Sequence, residues 1–296
     1  MGCNKCPRNC NKERVEGKNS SYGYCQVSVR PKVARAALHF WEEPCISGEE
    51  GSGTVFFSGC NLRCVYCQNV EIAAGVRGKV ISVERLSEIF LELQEKGANN
   101  INLVTPSHYY MQIKEALLLV KEKLHIPVIA NTSSYESVEV LREMEGLIDI
   151  YLADYKYASR ELAAKYSHAA DYPQVAAEAL KEMFRQTGEP EFDDRGMMRR
   201  GIIVRHLLLP GGKEDSKEVL KFLYETFGDS VFISIMNQYT PLSHVEKYPE
   251  LNRRVTEEEY EEIVDYAIEL GIENGFIQEG ETAEESFIPA FDGEGV

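Results

Sequence analysis

Six short runs of β-branched and apolar residues punctuate the chain: TVFFSG (54–59), INLVTP (101–106), PVIANT (127–132), IDIYLADYKY (148–157), GIIVRHLLLP (201–210) and VFISIMNQY (231–239). Near-continuous apolar character over so few residues predicts strands buried on both faces. The intervening segments read as amphipathic helices. Ser82 caps a helix whose Leu86, Ile89, Phe90 and Leu93 fall on one face, and Gly97 stops it. Ile113, Ala116, Leu117, Val120 and Leu124 repeat at helical spacing, and Thr256 with Glu259 forms a capping box for Tyr260, Ile263, Val264, Ala267 and Ile268. Strands alternating with helices mean a parallel α/β sheet. Six units fit either an open partial (β/α)6 barrel or a doubly wound sheet, and periodicity does not separate them. Both place ligands at the carboxyl ends of the strands.

The chain divides into a cysteine-rich extension (1–30), a lead-in (31–52), the α/β body (53–280) and an acidic tail (281–296) whose end, FDGEGV, reads as loose. The extension is polar and has too little apolar periodicity to form a core, so a metal or the body must hold it. No run approaches the roughly 18 to 20 apolar residues of a membrane span, and the start lacks the apolar stretch of a signal peptide. Gly2 does not complete a myristoylation motif, because position 6 is cysteine. The expected compartment is the cytoplasm, with no membrane partner.

Charge narrows the partners. The net value of −16 disfavours bulk nucleic-acid binding. The densest basic cluster, Arg195 to Arg200 in RGMMRR, reads as a solvated loop before a strand.

All 8 cysteines lie in the first 67 residues, a distribution that points to metal or cluster chemistry rather than to a disulfide framework. Cys60, Cys64 and Cys67 follow the first predicted strand and have no fourth cysteine close by. A structural zinc site closes with four protein ligands; three thiolates leave a coordination position open, as reactive metal sites do. Cys3, Cys6, Cys10 and Cys25 form a separate C-x2-C-x3-C-x14-C set, able to close a zinc site or a second iron–sulfur cluster. Cys45 reads as a buried small hydrophobe.

The C-x3-C-x2-C spacing directly after a strand, with Tyr66 before the third cysteine, resembles the signature of radical S-adenosylmethionine (radical SAM) enzymes. The resemblance implies a partial (β/α)6 barrel and a [4Fe-4S] cluster on Cys60, Cys64 and Cys67. Its open iron would chelate S-adenosylmethionine, and reductive cleavage would give a 5′-deoxyadenosyl radical that abstracts hydrogen. HFWEEPCISGEEGSGTVFFSGCNLRCVYCQN, with NTSSY, DYKY, VRHLLLPG and MNQYTPL, is similar to the branch related to pyruvate formate-lyase activating enzymes, over residues 30 to 280. That branch implies an oxidoreductase supplied by an electron donor such as flavodoxin or ferredoxin, with a protein or peptide as a candidate substrate.

The same resemblance assigns further positions. Asp154 and Lys156 match the Asp-x-Lys motif of the fourth strand and would point together into the barrel mouth. Asn131 and Thr132 stand where the activating enzymes have Asp-Thr-Asn-Gly, so the cofactor contact is expected to remain while cation binding is in doubt. Arg205 matches an arginine expected on the S-adenosylmethionine carboxylate or ribose. In place of Gly-Gly-Glu after the second strand stands TPSHY, with Thr105 and Ser107 as hydroxyl partners, His108 as a substrate contact, or Ser107 as a plain helix cap. His206 is expected to pack on a helix, and Asn237 or Gln238 to line the substrate side. Within the enzyme reading the choices are a glycyl-radical activase and a peptide- or small-molecule-modifying enzyme. The reading from a different class is an iron–sulfur or zinc protein for electron transfer or partner binding, without S-adenosylmethionine turnover.

Overall fold

The computed structural model describes residues 3–14, 23–278 and 289–296. Among them the strands are β1 (Lys32–His39), β2 (Ser52–Phe57), β3 (Lys79–Val80), β4 (Ile101–Val104), β5 (Val128–Thr132), β6 (Ile150–Asp154), β7 (Glu191–Phe192), β8 (Met198–Leu207), β9 (Phe232–Met236) and β10 (Gly275–Ile277). The helices are α1 (Pro44–Ser47), α2 (Val70–Ala73), α3 (Val83–Glu95), α4 (Tyr110–Val120), α5 (Val138–Glu143), α6 (Arg160–Ser167), α7 (Tyr172–Thr187), α8 (Lys213–Phe227) and α9 (Glu257–Leu270).

All six predicted runs are strands, and they pair in parallel in the order β2-β4-β5-β6-β8-β9, with the short β10 added beyond β9. This order decides what periodicity left open. A parallel crossover is right-handed, so adding every new strand to the same edge keeps the crossover helices on one face and curls the sheet into a partial barrel. A doubly wound sheet would reverse direction midway. The helix starts follow their sequence signals: the Ser82 hydroxyl accepts from Arg85 N–H, and Thr256 and Glu259 form the capping box.

Alternation along the strands divides the interior in two. Leu103, Ala130, Tyr151, Ala153, Val204 and Ile233 pack outward into the large core beneath the helices. On the concave side, Ile129, Ile150, Leu152 and Ile203 close a smaller apolar floor together with Cys45, Ile46 and Met198. Cys45 is thus buried as expected, and burial pushes its thiol up to about 12. Asn102, Asn131, Asp154, Arg205 and Ser234 share this concave face, and Asp154 and Ser234 stand in register on either side of Arg205.

Three segments differ from expectation. The lead-in contains β1, antiparallel to β2, and α1, after which the chain returns beneath the sheet. The acidic end is not loose: Ala36 N–H donates to Glu294 O at 2.9 Å, Gly293 N–H donates to Ala34 O at 3.1 Å, and Arg35 pairs with Asp292 and Glu294. The free edge of β1 supplies those backbone groups, and Phe291 packs edge-on against Phe56. The basic cluster is partly the start of β8 rather than a solvated loop. Arg200 is spent on the carbonyls of Gln186 and Thr187 at 2.6 and 2.7 Å, at the end of α7, where a cation satisfies orphan carbonyls.

Candidate active site

Strand β2 is buried along its whole length, and the chain leaves it through Ser58 and Gly59 into the loop that carries Cys60, Cys64 and Cys67. Backbone N–H groups of Leu62 and Arg63 point at Cys60 Sγ, at 3.3 and 3.4 Å. Arg63 achieves this at φ +56°, a left-handed conformation uncommon for a long side chain and of a kind that clusters at functional loops. The Ser167 hydroxyl at the end of α6 donates to Cys64 Sγ at 2.9 Å, and Tyr157 links Ser167 (2.8 Å) to Tyr66 (2.7 Å). Burial raises the Cys60 thiol and pushes Cys67 up to about 12.

Below the loop lies a chain of charges. Lys156 Nζ donates to Asp154 at 2.6 Å, Arg205 reaches Asp154 at 3.3 Å, and Arg205 pairs with Glu42 at 3.0 Å. Their side chains are only 10–18% exposed. Burial alone would raise the Asp154 carboxyl, but Lys156 and Arg205 hold it below its usual range. Burial alone would lower Lys156, and Asp154 with the thiols of Cys64 and Cys67 reverses that. Glu42 also accepts from Asn102 at 2.9 Å and Asn131 at 3.2 Å, while Asn131 accepts from Arg205. Glu43 lies in the same interior. Burial raises its carboxyl against the pull of Arg205, and its Oε2 has no hydrogen-bond partner among the described residues.

The predicted residues therefore separate. Cys60, Cys64, Cys67, Lys156, Asp154, Arg205 and Asn131 gather on the concave side, with Tyr66 packed edge-on to Tyr239 at 6.3 Å. Thr132 faces the other way and donates to Glu136. Ser107 is not a helix cap. The helix α4 starts at Tyr110 with Tyr109 in the capping position, and the Ser107 hydroxyl donates to Glu136 at 2.5 Å. His206 packs on α8, bonded to Ser216 Oγ at 2.8 Å, and Tyr155 O takes its other nitrogen. Asn237 offers its backbone N–H to Gln278 at 2.7 Å, and Gln68, next to Cys67, donates to Gln238 O at 3.0 Å. Thr105 holds φ +58° at the top of β4, a strained value for a β-branched residue.

Sequence reasoning missed Glu42, Glu43, Asn102, Ser234, Tyr157 and Ser167. A usable signal was there: Asn102 and Ser234 interrupt otherwise apolar strands, and buried polar groups need partners. The pair of glutamates before Pro44 could have supplied them.

The extension forms a second thiol set. Cys3, Cys6, Cys10 and Cys25 line one small cavity of about 10 Å³ with Asn61 and His108. Two backbone hydrogen bonds tie Cys3 to Asn11 and Lys12, and Asn9 N–H closes a turn onto Cys6 O at 3.1 Å. His108 Nε2 meets the Ser58 carbonyl at 2.8 Å. A carbonyl only accepts, so Nε2 carries the hydrogen and Nδ1 keeps a lone pair. That Nδ1 and Asn61 Oδ1 are buried without hydrogen-bond partners among the described residues. His108 thus sits beside the extension rather than in the barrel mouth. Among the described residues no three ligating side chains already surround a single-ion position, so a bound ion would have to draw the thiols inward.

A partial barrel with three thiols at the carboxyl end of its first parallel strand defines a class, and the wider comparison agrees. The chain matches the Radical SAM superfamily over residues 54–223 and belongs to it. It is 26% identical over 275 residues to the uncharacterized protein MJ0674 of Methanocaldococcus jannaschii, covering 90% of this chain and 74% of that one. Among solved structures it is similar in fold to Streptococcus suis SuiB (TM-score 0.51, 12% identity, 78% of this chain). It is also similar to methylornithine synthase, PylB (TM-score 0.51, 16% identity, 74% of this chain and 60% of that one). The chain spans about half of SuiB, 49% of its length. Among the described residues no helix is long and apolar enough to cross a membrane.

Proposed function

We propose that this radical SAM enzyme binds a [4Fe-4S] cluster through Cys60, Cys64 and Cys67 and cleaves S-adenosylmethionine reductively, to abstract hydrogen from a peptide or small molecule. The observation that carries the reading is the surroundings of the three thiols: backbone N–H groups on Cys60, a hydroxyl on Cys64 and the Lys156 cation nearby. Buried thiols with raised pKa values ionise only against a compensating charge, and soft thiolate donors suit iron–sulfur clusters. When bound, the cluster supplies one electron to the sulfonium. The protein's part is to hold the thiolates, to keep Lys156 protonated through Asp154, and to anchor Asp154 through Arg205 and Glu42. The Lys156 ammonium suits a carboxylate such as that of S-adenosylmethionine. Arg205 is already engaged on three sides, so its part is to set Asp154.

Asn131 spends its amide on Glu42 and its oxygen on Arg205. That supports a site working without the cation seen in the resemblance, and a substrate other than a glycyl-radical enzyme. An activase acting on a backbone glycine is the variant that the resemblance implies. A flavodoxin or ferredoxin of a reducing cytoplasm is the fitting electron source.

In the extension, the four thiols line one cavity together with His108, Asn61 and the cations Lys5, Arg8 and Arg14, and cations beside thiols favour the thiolate form that binds metal. Four thiolates suit a thiophilic metal, either zinc or a second iron–sulfur cluster.

The test is anaerobic reconstitution with iron and sulfide, followed by dithionite and S-adenosylmethionine. Formation of 5′-deoxyadenosine is expected. A chain that carries the cluster and forms none would be an electron-transfer or partner protein instead.

A further inference from the structure

The extension meets the catalytic loop on both sides of Cys60. Gly59, at φ +89°, packs so closely that a Cβ there would stand 2.6 Å from Cys25 O. Any side chain would force the two backbones apart. Beyond Cys60, Arg8 Nε donates to Asn61 O at 2.7 Å and the Tyr24 hydroxyl donates to Leu62 O at 3.0 Å.

The same Arg8 guanidinium spans to the end of α6, donating to Ser167 O at 3.0 Å and to His168 O. Ser167 is the residue whose hydroxyl reaches Cys64 Sγ. Arg8 is held in place between the rings of Tyr24, at 4.1 Å, and Tyr135, at 5.2 Å. One planar fork thus ties together the extension, the loop between Cys60 and Cys64, and the helix end that hydrogen-bonds Cys64.

Arg8 lies between Cys6 and Cys10, in a turn closed by Asn9 N–H onto Cys6 O, with Asn9 at φ +41°. An ion that fixes both flanking thiols fixes the backbone of Arg8. The turn has no core of its own and one backbone bond within it, so the ion adds order that the polar sequence does not supply.

We infer that the N-terminal metal site is a brace for the catalytic loop, with Arg8 as the positioning residue that couples the two. The inference rests on the reading of the extension as a metal site. Metal bound at the four thiols orders the Cys6–Cys10 turn, the turn aims Arg8, and Arg8 pins the backbone that carries Cys60 and Cys64.

The test uses the full chain as wild type, Cys10→Ser, Arg8→Ala and Arg8→Lys, with three readouts. These are zinc and iron per chain, the electron paramagnetic resonance spectrum of the reduced cluster, and hydrogen exchange of the amides from 60 to 67. Amides of β5 and β6 serve as the internal reference that separates local loosening from global unfolding. Cys10→Ser is expected to lose the extra ion. Both Cys10→Ser and Arg8→Ala are expected to speed exchange across the loop about tenfold, as lost charge-assisted hydrogen bonds do, and to change the cluster spectrum. Arg8→Lys should behave like Arg8→Ala, since an ammonium does not span the fork's acceptors. The inference is overturned if Cys10→Ser loses its ion, or Arg8→Ala loses its fork, with loop exchange and spectrum unchanged. A wild-type chain with no ion beyond the loop's iron overturns the metal-site reading on its own, and the Arg8→Ala comparison then still decides the coupling.

Discussion

Cys60, Cys64 and Cys67 leave a strand that is buried at every residue, with Val55 and Phe57 in the large core and Phe56 packed with Ala34, Ile72 and Val104 on the other face, whereas Cys3, Cys6 and Cys10 lie on turns closed by a few backbone hydrogen bonds. The first set takes its geometry from the sheet, at the end where parallel α/β folds collect function. The second is strapped to the body by Arg8, Arg14 and Tyr24, which borrow its carbonyls: Arg14 reaches His108 O and Ser28 O, both at 2.5 Å. A thiol set can therefore be rigid in two ways, by growing out of a core or by being strapped to one. The barrel set should tolerate loss of its ligand with the fold intact, and the extension should not.

The largest effect that would sharpen this contrast is at Cys64. Cys64→Ala is expected to abolish the loop's iron–sulfur absorbance and the formation of 5′-deoxyadenosine, while the circular dichroism of the barrel stays unchanged. Retained cleavage would remove Cys64 from the ligand set.

Next come two changes of similar size inside the body. Glu42→Gln leaves Arg205 short of a buried counter-charge, and breaking such a pair costs about 3 kcal/mol. Urea unfolding should read that loss, and a double variant with Arg205→Met should lose less than the sum of the singles. Additive losses would mean that the charge chain is not a unit. At Glu136, burial lifts the carboxyl from 4.5 to about 7, although Ser107 and Thr132 pull the other way. The folded chain then holds this proton more tightly than the unfolded one. Its contribution is full below about pH 4.5 and is lost as pH rises through about 7, a change of about 3 kcal/mol. Glu136→Gln should flatten that fall in stability curves measured across the range, and an unchanged slope would place the proton elsewhere.

The smallest change touches the strap. Tyr24→Phe deletes the hydrogen bond to Leu62 O and is expected to cost about 1 kcal/mol, read as faster proteolysis of the extension with the barrel intact. Loss of barrel stability by several times that amount would show that the two regions are not held separately.

Much of this contrast was legible beforehand. Strand runs such as INLV and FISIM stand out because burial on both faces leaves no polar alternation, and the Ser82 and Thr256 caps stand out because helix ends need side-chain acceptors. Arg205 and His206 were separable because neighbours on a strand face opposite ways. The contribution of Glu42 was not legible. It sits in a lead-in without periodicity, and its partners Asn102, Asn131 and Arg205 are 60, 89 and 163 residues away. Ser107 misled for a related reason: a serine before a helical run satisfies the capping pattern, yet the tertiary fold brings Glu136 within reach and wins the hydroxyl.

The amino-acid sequence by itself determined the local facts of this protein. These are which runs become strands, where helices start, that three thiols follow the first strand, and that the first thirty residues carry four cysteines in a polar segment with little apolar periodicity. Each follows from spacing and residue chemistry within a few turns of chain. Only the tertiary structure decided between a barrel and a doubly wound sheet, brought Glu42 beneath Arg205, turned Thr132 and His108 away from the barrel mouth, and laid Arg8 across the catalytic loop. Those outcomes depend on which edge each strand joins and on which buried charge finds which partner, and such pairings are set by packing across the whole chain.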